Sequence, residues 1–135
     1  MKTIEPSSQG LEAFVSVDLN EPVVMLNLLR YREQAVYPDG FDAEPCTGRQ
    51  AYQRYGEVAV ERIATVGGEI VWMGTAKASV IAPEGEDWDD VVLVRYPSRS
   101  AFLEMIAQPE YLAAAPHRTA SLDDSRLIAT AQVLP

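Results

Sequence analysis

One cysteine and one histidine stand in a chain of 135 residues. A single thiol excludes an internal disulfide framework, and the two residues together exclude a zinc site built from several Cys and His ligands. Basic residues are scarce as well: 11 Lys+Arg stand against 20 Asp+Glu, for a net charge of −9 and a pI near 4.5. A surface so acidic repels phosphate backbones and anionic membranes, which disfavours nucleic-acid and membrane partners. Long apolar runs are missing. Runs such as Val23–Leu26 and Val91–Val94 have the length of strands and fall far short of a bilayer. The first residues, Met1-Lys2-Thr3-Ile4-Glu5-Pro6, carry an acid and a proline where a signal peptide needs an apolar stretch. The expected location is therefore the cytoplasm. There is no phosphate-cradling glycine motif, nucleophile elbow, dinucleotide fingerprint or solenoid repeat.

What is present is an ordinary globular composition, 47% hydrophobic and 23% charged. Residues 1–135 are expected to form a single domain, burying roughly two thirds of the unfolded surface. Residues 7–18 read as a short helix, with Leu11, Phe14 and Val15 at helical spacing. Val23–Tyr31 (VVMLNLLRY) is apolar on both alternating faces, as in a strand buried on both. A long connection follows over 32–47, marked by Pro38-Asp39-Gly40 and Pro45. Thr47 and Gln50 have capping-box spacing for a helix that carries Tyr52, Tyr55, Ala59 and Ile63. Gly67-Gly68 ends it.

Residues 69–82 read as a strand with Ile70, Trp72, Gly74, Ala76, Ala78 and Val80 on one face. After the acidic loop 83–90 comes a third strand, Val91–Tyr96. Ser98 caps a helix whose stripe is Ala101, Phe102, Met105 and Ile106. Pro109 breaks that helix, Tyr111–Ala115 adds a turn, and Arg126–Val133 alternates as a fourth strand. The order β-α-β-β-α-β is the ferredoxin-like α+β arrangement, with two helices on one face of a four-stranded antiparallel sheet. Its other face would be bare in a monomer. A bare apolar face calls for a two-fold homodimer with sheets packed face to face. The alternative is a monomer whose N-terminal segment covers that face.

The strand Val23–Tyr31, the segment Trp88–Tyr96 (WDDVVLVRY) with its following helix, and the tail Pro109–Leu127 (PEYLAAAPHRTASLDDSRL) resemble a bacterial family of unassigned function, domain of unknown function 1330. The likeness runs from about Ile4 to Ala129 and lies in the order and spacing of segments. It implies a ferredoxin-like fold that pairs into a dimeric α/β barrel. It implies no activity. The wider superfamily includes cofactor-independent monooxygenases, haem-degrading enzymes, lactone isomerases and plain ligand binders, so choosing among them from fold is analogy.

His117, in Ala115-Pro116-His117-Arg118, is the candidate catalytic residue, since imidazole titrates near neutral pH. Its bland reading is a loop histidine bonded to its neighbours. Arg118 can fork onto a carboxylate or pair with Asp123 or Asp124. Asn27 interrupts an apolar strand, aimed at a cavity or bonded to the next strand. Tyr31 lies on the same sheet face. Trp72 and Trp88 read as core or as cavity walls, and Arg95 as an anchor for an acidic ligand or a solvated strand end. Cys46 and the acids at 84–90 read as loop residues with no metal-binding spacing.

Three functional readings follow. The first is a dimeric barrel binding a small apolar or weakly acidic molecule at Asn27, Tyr31, Trp72, Arg95, His117 and Arg118, acting as a monooxygenase or isomerase with no bound cofactor and no metal. The second is a non-catalytic dimeric binding or interaction module. The third is haem binding or degradation, because haem-degrading members of the superfamily use an asparagine, a tryptophan and a histidine, here matched in type by Asn27, Trp72 and His117.

Overall fold

The computed structural model describes residues 1–135. Strand β1 (Val23–Tyr31), β2 (Glu69–Thr75), β3 (Asp90–Tyr96) and β4 (Leu122–Thr130) form one antiparallel sheet in the order β2-β3-β1-β4. Four helices accompany it: α1 (Ser8–Val15), α2 (Gly48–Thr65), α3 (Arg99–Ile106) and α4 (Pro109–Ser121). The ferredoxin-like order read from the sequence is the order observed. No helix is long and apolar enough to cross a membrane.

Alternation sorts the two sheet faces. Val23, Met25 and Leu29 of β1 join Val92, Val94 and Tyr96 of β3 in a core closed by Ile63 of α2 and by Phe102 and Met105 of α3. The intervening residues point the other way and build an open face. There Trp72, Leu93, Leu26 and Ile128 form a row across all four strands. Next to it run Gly74, Val91, Leu28 and Arg126. No helix lies on that side.

The start of α2 is fixed in two ways. Thr47 and Gln50 form the expected capping box, each side chain bonding the other's backbone N–H. Gly48 meets the ends of β1 and α4 so closely that a Cβ there would collide with the carbonyls of Arg32 and Ser121. At the other end, Gly67 takes φ +82°, the left-handed conformation that suits glycine after a helix.

Four sequence expectations need correction. Strand β2 ends at Thr75 instead of 82, and a register shift between Ile70 and Trp72 places those two residues on opposite faces. Residues from Ala76 onward leave the sheet. Pro109 starts a helix rather than only ending one, as a proline in the first turn can, and α4 continues to Ser121. Pro116 lies inside α4, so His117 is helical and not in a loop. The bond lost at Pro116 would have reached the carbonyl of Leu112, an exposed residue that solvent can reach. Strand β4 begins at Leu122, ahead of the expected Arg126, and ends at Thr130.

The N-terminal segment does not lie over the open face. Thr3 bonds Asp124 and Ser125 along β4. Phe14 of α1 packs edge-on against Phe102, ring centroids 5.3 Å apart, and accepts a bond from Arg99 through its carbonyl.

Candidate functional site

On the helix-facing side, tyrosines form a continuous aromatic seam. Tyr31 packs on Tyr52 at 5.5 Å, Tyr52 on Tyr55 at 5.3 Å, and Tyr55 on Tyr111 at 5.8 Å. The seam crosses three elements because α2 repeats a tyrosine at one helical interval and offers both to β1 and α4. Tyr55 and Tyr111 share a hydrogen bond of 2.9 Å. Tyr31 donates its hydroxyl to Asp90 at 2.7 Å, and Arg49 reaches the same carboxylate oxygen at 3.0 Å while lying over the Tyr31 ring.

Two hydroxyls of the group, those of Tyr52 and Tyr96, have no partner in the chain. Burial pushes the Tyr52 phenol up to about 12, with Arg118 opposing and Tyr111 and Asp90 adding. Burial likewise raises Tyr96 well above its usual value, helped by Tyr111 and Tyr52. Tyr55 is raised by burial and Tyr111 against the pull of Arg118. Burial and the Asp90 bond raise Tyr31. All four phenols therefore keep their protons at neutral pH. Tyr111 and Tyr52 thus act on both Tyr55 and Tyr96, and the Arg118 charge acts on Tyr52 and Tyr55.

Asn27 and Tyr31 both project to this side, as their alternation with Met25 and Leu29 requires. Asn27 makes one bond, from Nδ2 to the carbonyl of Val92 at 3.3 Å. Arg118 is tied to the carbonyl of Ile4 at 2.7 Å. Asp90 is 3% exposed, and its Oδ1 has no hydrogen-bond partner. Beside it opens a depression of about 470 Å³ lined by Tyr31, Arg32, Glu33, Thr47, Arg49 and Asp89.

The other sequence candidates lie elsewhere. Trp72 and Arg95 sit on the open face, with Arg95 paired to Glu69. Trp88 stacks against Arg30 and Arg126, whose guanidinium carbons are 5.9 and 5.1 Å from the ring centroid. His117 faces the 32–47 connection. Its Nδ1 meets the Tyr37 hydroxyl at 2.7 Å, and its ring stands edge-on to Tyr37 and Phe41. Arg54 donates to the same hydroxyl at 3.2 Å and to the carbonyl of Glu44 at 2.9 Å. Burial and then the Arg54 charge push the imidazole below its usual value. Asn27, Trp72 and His117 thus stand in three separate places, two of them on opposite sheet faces. No group of three or more His, Cys, Asp or Glu side chains is arranged to hold a metal ion.

Nothing in the sequence pattern marks Tyr52, Tyr55, Tyr96, Tyr111, Arg49 or Asp90 as a site residue. Tyrosines at helical spacing read as core, and Asp90 was hidden in an acidic loop. The available signal was the concentration of tyrosine itself: six residues, against three phenylalanines.

The profile described as domain of unknown function (DUF1330) matches residues 44–131. A protein of unknown function from Rhodopseudomonas palustris, RPA0582, is similar over all of both chains, with 38% identity and a TM-score of 0.90. A dimeric protein of unknown function and ferredoxin-like fold from Bacteroides fragilis shares 16% identity over 82% of this chain and 96% of its own, with a TM-score of 0.51. SnoaB from Streptomyces nogalater, a cofactor-independent oxygenase, shares 16% over 85% of this chain and 98% of its own, also at 0.51. Those last two likenesses are of fold alone. Among curated proteins none matches the sequence.

Proposed function

This chain belongs to the family of domain of unknown function 1330, and from that premise we propose that it is a homodimer whose subunits each bind a small, weakly acidic molecule between sheet and helices. The carrying observation is the tyrosine seam itself, in which the hydroxyls of Tyr52 and Tyr96 are free of any partner in the chain and stand beside Asn27 and Arg118. Hydroxyls without a protein partner are open to a ligand's oxygen, and burial of the rings raises both phenols, so each keeps its proton to donate. Arg118 adds a positive charge near Tyr52 and Tyr55, and Asn27 adds an amide from the sheet side. A carboxylate, phenolate or enolate oxygen satisfies such a set. The tyrosine rings supply flat apolar walls.

The same donors favour an enolate over its neutral parent, because they meet developing negative charge. Asp90, whose charge reaches Tyr52 and whose Oδ1 has no partner, is the candidate acceptor for the carbon-bound proton. Reprotonation at a second carbon is isomerisation. Reaction of the enolate with dioxygen is cofactor-independent oxygenation, the class to which SnoaB belongs.

The dimer rests on the open face. A row of Trp72, Leu93, Leu26 and Ile128 across four strands is an apolar surface that a second sheet of the same kind would cover.

Calorimetric titration with a panel of aryl carboxylates and enolisable diketones tests the site. At least one compound should bind, and Tyr52→Phe or Arg118→Gln should weaken it about tenfold. A panel that never binds, or binds both variants as well as wild type, overturns the assignment.

A further inference from the structure

Beyond Thr75 the β2–β3 connection leaves the sheet as an arm with two limbs. The Ala76 N–H donates to the carbonyl of Asp89 at 2.9 Å, and Ser79 Oγ to that of Glu86 at 3.1 Å. The tip turns at Pro83–Glu86, where a 3.2 Å backbone bond closes and Gly85 takes φ +83°. The arm is therefore built, yet its apolar pair is bare: Val80 is 89% and Ile81 97% exposed. Two branched side chains held side by side in water mark a contact surface awaiting its partner.

A second bare pair lies at the other extreme of the sheet. Past Thr130 the chain runs on as a tail in which Val133 is 90% and Leu134 76% exposed. The positions of arm and tail are related. β2 and β4 are the two outer strands. The arm leaves β2 where Thr75 pairs with Asp90, which in turn faces Leu29 near the end of β1. The tail leaves β4 where Thr130 pairs with Val24, at the start of β1. Arm and tail thus occupy diagonally opposite corners, with the row Trp72, Leu93, Leu26 and Ile128 between them.

We infer that the arm of each protomer clasps the tail of a second copy of this chain. The proposal rests on the dimer argued above and adds the segments that lock it. When two such sheets lie face to face about a two-fold axis along the other diagonal, each arm comes over the partner's tail. Val80 and Ile81 then cover the partner's Val133 and Leu134, and the reverse contact follows by symmetry. Strands of the two sheets cross at a large angle, the orthogonal class of sheet packing. The apolar row and the two clasps make one continuous surface. That continuity is what selects a second copy over an unrelated partner: one rotation pairs every bare apolar group of the open face, the arm and the tail.

Sedimentation analysis of dimer dissociation separates this inference from the reading beneath it. The double variant Val80→Asp/Ile81→Asp should dissociate at about a hundredfold higher concentration than wild type, with an unchanged circular dichroism spectrum because both residues are exposed. Leu26→Arg, at the centre of the row, should be monomeric. An arm variant that dimerises as wild type beside a monomeric Leu26→Arg overturns the clasp and leaves the dimer standing. A wild-type monomer, or a Leu26→Arg protein that still dimerises, overturns the sheet-face dimer itself. Cross-linking fixes the pairing: in a Cys46→Ser background, Val80→Cys/Val133→Cys should form interchain disulfides that neither single variant forms. A Val80→Cys protein that links to itself places arm on arm and overturns the inference. So does an arm variant that keeps wild-type dimer affinity and only loosens a bound ligand, since the arm is then a lid.

Discussion

Tyr55 and Tyr111 face each other across the two helices α2 and α4 with their hydroxyl oxygens 2.9 Å apart, the one side-chain hydrogen bond between phenols in the seam. It joins the helices at the depth of the proposed site. One phenol donates and the other accepts, while the hydroxyls of Tyr52 and Tyr96 have no partner in the chain.

Removing one partner should therefore cost more than a surface bond. Tyr111→Phe leaves the Tyr55 hydroxyl buried and unpaired, and about 1–2 kcal/mol of unfolding free energy should be lost. Urea unfolding of Tyr55→Phe, Tyr111→Phe and the double variant checks this. The double variant should lose less than the sum of the singles, because the orphaned group is then gone.

Asp90 should be a structural as well as a chemical centre. It accepts from Tyr31 and Arg49 on one oxygen. Asp90→Ala strips a buried phenol of its acceptor and should cost about 2–4 kcal/mol, the contribution of half-exposed Arg49 being small. Because Asp90 adds to burial in raising Tyr31, the variant should also bring the Tyr31 titration down toward its usual range. Spectrophotometric titration of the phenolates reads this directly.

The fold was legible because its signals are local. Alternation in Val23–Tyr31 and Val91–Tyr96, the Thr47/Gln50 cap and the Gly67 stop each act within a few residues. What escaped depends on distant partners. The run Leu122-Asp123-Asp124-Ser125 looks like loop, since aspartate is disfavoured in strands. It pairs as strand because its acids are satisfied from afar. The Lys2 bond holds Asp123 below the usual carboxylate range. Burial works against Asp124, yet the N–H groups of Thr3 and Ser125 and the Arg126 side chain hold it low as well. The candidate site residues read from the sequence divide between the two sheet faces. Asn27, Tyr31 and Arg118 turn toward the tyrosine seam, while Trp72 and Arg95 face the other way, and no sequence pattern says which sheet face the helices cover. His117 lay beyond reach, because its partner Tyr37 is 80 residues away.

His117 gives the stability a pH dependence of defined sign. Its folded-state value lies below the usual 6.5, so the unfolded chain takes up the proton first. The contribution is complete above 6.5 and is lost as pH falls toward the folded value. Chemical unfolding between pH 7.5 and 5 should show falling stability in wild type and a flatter profile in His117→Gln. A rise in wild-type stability over that range would contradict the Tyr37–His117 arrangement. The low-lying Asp123 and Asp124 add a further loss, which begins only at more acid pH.

In the proposed site Tyr52, Tyr96 and Arg118 hold a small acidic molecule. Native mass spectrometry of protein taken from cell extract without denaturation addresses this binding most directly. The spectrum should show a dimer carrying one small-molecule adduct per subunit, lost in Tyr52→Phe/Arg118→Gln with the dimer intact. An adduct that persists in that double variant, or a wild-type dimer whose mass is that of its two chains alone in every extract tested, would contradict it.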